Sequence, residues 1–145
     1  MSGLRSFVIL AIFACALSAC VKNPTLAFYN GTADELTVRA VVDTWFKVTN
    51  CSTGDSMSSM NQQGSFTVPA GQFVCMTAKS RKDKLPAAEL VSRVVVIRQG
   101  ERCFTASRDE LRDSLTRAGG FSAVQLTDTR CPAAGSAPPA APDAE

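Results

Sequence analysis

Past its first twenty residues, this sequence concentrates its reactive side chains in four cysteines: Cys51, Cys75, Cys103 and Cys131. A thiol can ligate a metal, attack an electrophile or pair with another thiol. The spacing and the company of these four decide among the three. Zinc sites need clustered ligands of the C-x-x-C kind, and these cysteines are widely separated, so no metal is expected. Histidine is absent from the whole chain. That removes the usual general base, metal ligand and pH switch, and it excludes Ser-His-Asp and Cys-His catalysis. Pairing remains. An even count of dispersed cysteines in a small chain reads as a disulfide framework. Of the three possible pairings, Cys51–Cys75 with Cys103–Cys131 is favoured, because each pair brackets one local unit.

Other groups offer less. Asp109, Glu110 and Asp113 form a close acidic set, and two carboxylates in unlike environments can run acid–base chemistry. Their place at a helix start suits the macrodipole better. Met57 and Met60 have M-x-x-M spacing, with Met76 as a third thioether. Thioethers select Cu(I), but without histidine the set is thin, and no cofactor is expected. Trp45 is more promising. Strand alternation places it on a polar face near Val41, and a large exposed aromatic is a candidate contact hot spot. Lys79, Arg81, Lys82 and Lys84 crowd one loop and could meet phosphate, carboxylate or an acidic partner. The plain alternative is a solvated basic loop, partly neutralised by Asp83.

The N-terminus carries a targeting signal. Arg5 precedes an uncharged apolar run, Phe7 to Leu17, too short for the roughly 20 residues that span a bilayer. Leu17-Ser18-Ala19-Cys20 ends that run. This tetrapeptide resembles the lipobox of bacterial lipoproteins: leucine, two small residues, cysteine. The resemblance covers only residues 1–20. It implies cleavage before Cys20, diacylation of the Cys20 sulfur and acylation of its new amine. One acyl chain binds membranes marginally, whereas several hold firmly. Val21 rather than aspartate follows Cys20. By analogy with the enterobacterial sorting rule, this points to the outer membrane, facing the periplasm.

Loss of residues 1–19 leaves 126 of 145 residues, enough for one domain, with 14 basic against 13 acidic groups. That balance shows no footprint for nucleic acid. Residues 20–24 read as a tether, 25–131 as the domain and 132–145, rich in proline and alanine, as a disordered tail.

Within the domain, Thr25 to Asn30 has strand composition. Glu35 to Thr49 alternates apolar and polar residues at period two, which predicts one long strand. Asn50 to Gly64 reads as a polar loop. Ser65 to Val68 and Gln72 to Lys79 read as strands about a turn at Pro69-Ala70-Gly71. Val91 to Arg98 reads as a central strand, with Glu101 to Ala106 as its hairpin partner. Ser107-Arg108-Asp109-Glu110 fits a capping box. Leu111, Leu115 and Ala118 then predict a helix of about three turns, ended by Gly119-Gly120. Phe121 to Thr129 closes the set.

About seven strands, one short helix and two disulfides predict a mainly β domain, a small sandwich or a partly open barrel. The expected role is a membrane-anchored, non-catalytic binding or structural module with a protein partner in the cell envelope. The competing expectation is an inhibitor or immunity lipoprotein that neutralises a lytic enzyme or toxin.

Overall fold

The computed structural model describes residues 25–79, 85–118 and 121–135. The signal segment, Cys20, the tether, Arg81, Lys82, Lys84, Gly119-Gly120 and residues 136–145 of the tail lie outside the described residues. Among the described residues, ten strands occur in the order Thr25–Asn30 (β1), Leu36–Val42 (β2), Phe46–Asn50 (β3), Ser56–Met60 (β4), Gln63–Val68 (β5), Phe73–Ala78 (β6), Val91–Arg98 (β7), Glu101–Ser107 (β8), Leu115–Ala118 (β9) and Phe121–Leu126 (β10). A 3-10 turn, Ala87–Leu90, precedes β7, and a short helix, Arg108–Asp113 (α1), follows β8.

The strands form two sheets, β4-β3-β6-β1-β10-β9 and β5-β2-β7-β8. Their inner faces share one core, which includes Phe28, Leu36, Val38, Phe46, Val74, Val94 and Val124. Phe28 and Phe66 meet edge to face across it, with centroids 5.7 Å apart. The domain is mainly β, a sandwich-like pair of sheets without a closed barrel, as expected from the strand patterning.

Three strands exceed the expected seven, and each has a physical reason. First, Glu35 to Thr49 is two strands, not one, because β2 and β3 belong to different sheets. Leu36, Val38, Ala40, Val42, Phe46 and Val48 are nevertheless all buried. The chain turns a sandwich corner at residues 43–45 and keeps the same face inward, so periodicity cannot reveal the break. Just before this corner β7 carries a bulge: Val41 faces Arg93 and Val42 faces Val91, which leaves Ser92 as the extra residue. Second, the polar stretch Asn50 to Gly64 contains β4, an edge strand paired to β3. Its serines satisfy backbone bonding without needing apolar faces.

Third, the predicted three-turn helix is only α1. Its start follows the sequence. The Ser107 side chain accepts from the Glu110 amide, and the Glu110 carboxylate accepts from the Ser107 amide. Those Ser107 bonds, the backbone one first, hold the Glu110 carboxyl below its ordinary value. The helix stops at Ser114, whose hydroxyl donates to Leu111 O at 2.8 Å. Leu115 then opens β9, which pairs with β10. Six helical residues have little stability of their own, so strand pairing claims the residues beyond Ser114. Similarly, β5 and β6 are strands about a turn, but they sit in opposite sheets rather than as a hairpin.

The two disulfides are Cys51–Cys75 and Cys103–Cys131. The first lies with Ala27 and Ala123 in a small cluster apart from the main core. The second joins β8 to the segment after β10, and Cys131 is fully buried.

The end of the sandwich away from the β1 start is pinned by a buried cation. Arg98 donates to Asp34 at 2.9 Å, to Asp128 at 2.7 Å and to the Cys131 carbonyl at 2.9 Å. Asp128 first and Asp34 next raise its pKa further above its ordinary value. Asn30, also buried, completes this end. Its amide donates to Asp34 O and Val68 O, and its oxygen accepts twice from Thr32. An Arg98→Met variant releases two turns at once. It is expected to melt several degrees lower, whereas Arg39→Met on the open sheet face leaves melting nearly unchanged. Equal melting of the two variants in a calorimeter would remove Arg98 from this role.

Candidate functional site

Trp45 sits at the corner between β2 and β3, where the chain must reverse its hydrogen-bonding partners. Its parity is odd while the core positions are even, so it faces outward. It is 43% exposed, and the described part of the molecule does not cover it. Two contacts with Lys79 hold it. The Lys79 amide donates to Trp45 O at 2.9 Å, and the Lys79 ammonium stands 3.4 Å from the ring centroid. Such a pairing contributes about 0.5–1 kcal/mol at an exposed site. It favours this orientation of the ring.

Register locates this pair on the molecule. Thr25 of β1 faces Thr77 of β6, and Lys47 of β3 faces the same Thr77. Phe46 and Ala78 form the next row out, and Trp45 and Lys79 come after them. The Trp45–Lys79 pair therefore stands at the end of the sheet where the chain enters β1. Strands are about 4.8 Å apart, so β3 is displaced from β1 by only about 10 Å.

The other residues singled out from the sequence are scattered by the fold. Val41 is also 43% exposed. It lies round the corner from Trp45, on the outer face of the four-stranded sheet. Arg81, Lys82 and Lys84 fall outside the described residues. Met60 and Met76 are buried in the core while Met57 is exposed, so the three thioethers do not converge. Met60 passes directly beneath Gly64, where an added Cβ would come within 2.6 Å of the Met60 Cβ. Asp109 and Asp113 flank Arg112 at 3.2 and 3.8 Å, and Glu110 is occupied by the helix cap. Among the described residues, no three histidine, cysteine or acidic side chains gather as metal ligands. No described helix is long and apolar enough to cross a membrane.

Arg39, Arg93 and Arg102 escaped the sequence reading, yet they line one concavity together with Val41. A usable signal was present. Arg39 and Val41 on β2, and Arg93 and Val95 on β7, repeat an arginine–valine pair at the strand period. Only pairing register brings the two pairs together.

Comparison with protein-family models, with curated proteins and with solved structures finds no match to this chain.

Proposed function

We propose that the protein is a lipoprotein held in the cell envelope through Cys20, in the outer membrane facing the periplasm. There the β domain works as a non-catalytic binding module, a component or accessory of an envelope assembly. One observation supports the binding reading: the chain's single tryptophan is exposed, in contact with Lys79, and at the end of the sheet where β1 begins. From Cys20 to Thr25 the backbone can reach at most about 18 Å. A partner docked on Trp45 would therefore itself lie close to the membrane surface.

The test compares the wild type with Trp45→Ala after crosslinking in intact cells and recovery from detergent extract. Partner recovery is expected to fall about tenfold, the scale of a hot-spot aromatic, with melting nearly unchanged. Unchanged recovery, or a large drop in melting temperature, would make Trp45 structural. Recovery of a lytic enzyme or toxin in place of an assembly component would move the reading to an inhibitor.

A further inference from the structure

The outer face of the four-stranded sheet carries a second feature, independent of the tether and of Trp45. Arg39, Arg93 and Arg102 come from three neighbouring strands and open onto a concavity of about 520 Å³. That volume falls in the range of small-ligand sites, roughly 300–1,000 Å³. Register explains how three arginines share one face. Arg39 is opposite Val95, and Val41 is opposite Arg93, so the two arginines are diagonal neighbours across β2 and β7. Arg102 joins them through a bulge. Val96 faces Phe104 while Ile97 faces Arg102, which leaves Cys103 as the extra residue. Without that insertion Arg102 would point to the core side. Re-aiming a side chain is what such bulges do.

The charges of this face are unanswered. Arg98, Arg108 and Arg112 each pair with a carboxylate, and Arg130 donates to the carbonyls of Ser114 and Gln125. Among the described residues, Arg39, Arg93 and Arg102 have no such partner; the exposed Arg117 on the other sheet has none either, but it stands alone, whereas these three share one concavity. A bound anion would supply the counter-charge that no described carboxylate supplies here. Guanidinium groups also grip oxyanions with two parallel hydrogen bonds, which an ammonium cannot do. A carboxylate occupies one guanidinium in this way. A phosphate or diphosphate presents oxygens and charge enough for two or three. Val41 and Val95 between the cations offer apolar contact to whatever bears the phosphate.

We propose that this concavity is a binding site for a phosphate-bearing ligand, gripped by Arg39, Arg93 and Arg102 over Val41 and Val95. The phosphate is either free or the headgroup of a lipid, and two probes separate these sources. Full-length protein in neutral detergent is titrated calorimetrically, at constant ionic strength, with inorganic pyrophosphate and with dihexanoyl phosphatidic acid. Citrate and polyglutamate serve as carboxylate comparisons. Both phosphate probes are expected to bind and to raise the melting temperature through linkage. Tighter binding of the phosphatidic acid identifies a lipid headgroup, and tighter binding of pyrophosphate a soluble ligand. Arg93→Gln and Arg102→Gln should each weaken binding at least about tenfold, and Arg93→Lys, which keeps the charge, should weaken it too. The proposal is overturned if neither phosphate probe binds, if citrate or polyglutamate binds as tightly, or if the arginine variants bind like the wild type. Circular dichroism and thiol titration confirm that each variant keeps its fold and bridges.

Discussion

A Cys103→Ala/Cys131→Ala variant is expected to lose about 3.5 kcal/mol of stability or more, seen as a fall in melting temperature of about 15–25 °C. The bridge closes a loop with a sequence separation of 28, against 24 for Cys51–Cys75. Chain entropy alone therefore assigns each roughly 3.5 kcal/mol. What separates them is their setting. Cys51 lies just past β3, whose Thr49 is already paired with Cys75. That bridge reinforces a contact the sheet makes anyway. Cys103 sits on the edge strand of one sheet, and Cys131 lies beyond the last strand of the other. No strand ladder joins those segments. Cys131 is moreover fully buried, so alanine there adds a void to the lost constraint. A domain of this size has about 5–15 kcal/mol in all, and this one change removes much of it. Urea unfolding of both double variants is the measurement. A Cys103/Cys131 variant no less stable than the Cys51/Cys75 variant would refute the ranking.

Cys20→Ser is expected to act on a different quantity, and completely. With serine there, no thioether can form and no acyl chain can be added. The protein should move from the membrane fraction to the soluble one, or accumulate unprocessed. Stability of the β domain should not change, because β1 begins only at Thr25. The expectation rests on acyl chains in the plural: one chain holds a protein reversibly, and two or more hold it firmly. Labelled palmitate incorporation, globomycin-sensitive processing and the intact mass of the cellular form measure it. A wild-type protein from cells with no acyl mass on Cys20 would end the lipoprotein reading, and the membrane-side role of Trp45 with it. The arginine concavity would be untouched by that result, since its probes bind from solution whether or not Cys20 is acylated.

The sequence made some of this architecture visible and hid the rest for identifiable reasons. Burial is a one-dimensional pattern, so the inward positions of β2 and β3 could be read residue by residue. Sheet membership is not. Val42 and Phe46 look like successive core positions of one strand, and nothing in their period tells that the hydrogen-bonding partners change between them. Capping chemistry is local, so Ser107 and Glu110 announced the helix start. Its end depended on β10 competing for Leu115 and Thr116, a contact that propensity does not contain. Both disulfide pairs followed from bracketing. For the candidate contacts, the exposure of Trp45 followed from parity, but its partner Lys79 came from pairing between β3 and β6. The arginine cluster needed three strands in register and one bulge, none of which composition records.

The larger sheet places β1 between β6 and β10, antiparallel to the first and parallel to the second. The earliest segment of the domain to leave the ribosome thus finds one of its two flanks only when the final segment exists. Assembly cannot be completed piecemeal while synthesis proceeds, and such long-range pairing is intrinsically slow. Until Phe121–Leu126 is in place, the middle of the sheet presents a raw border of unpaired amides and carbonyls, the kind that templates aggregation. A message truncated ahead of the codons for that strand would therefore give a clump rather than a shortened but working product.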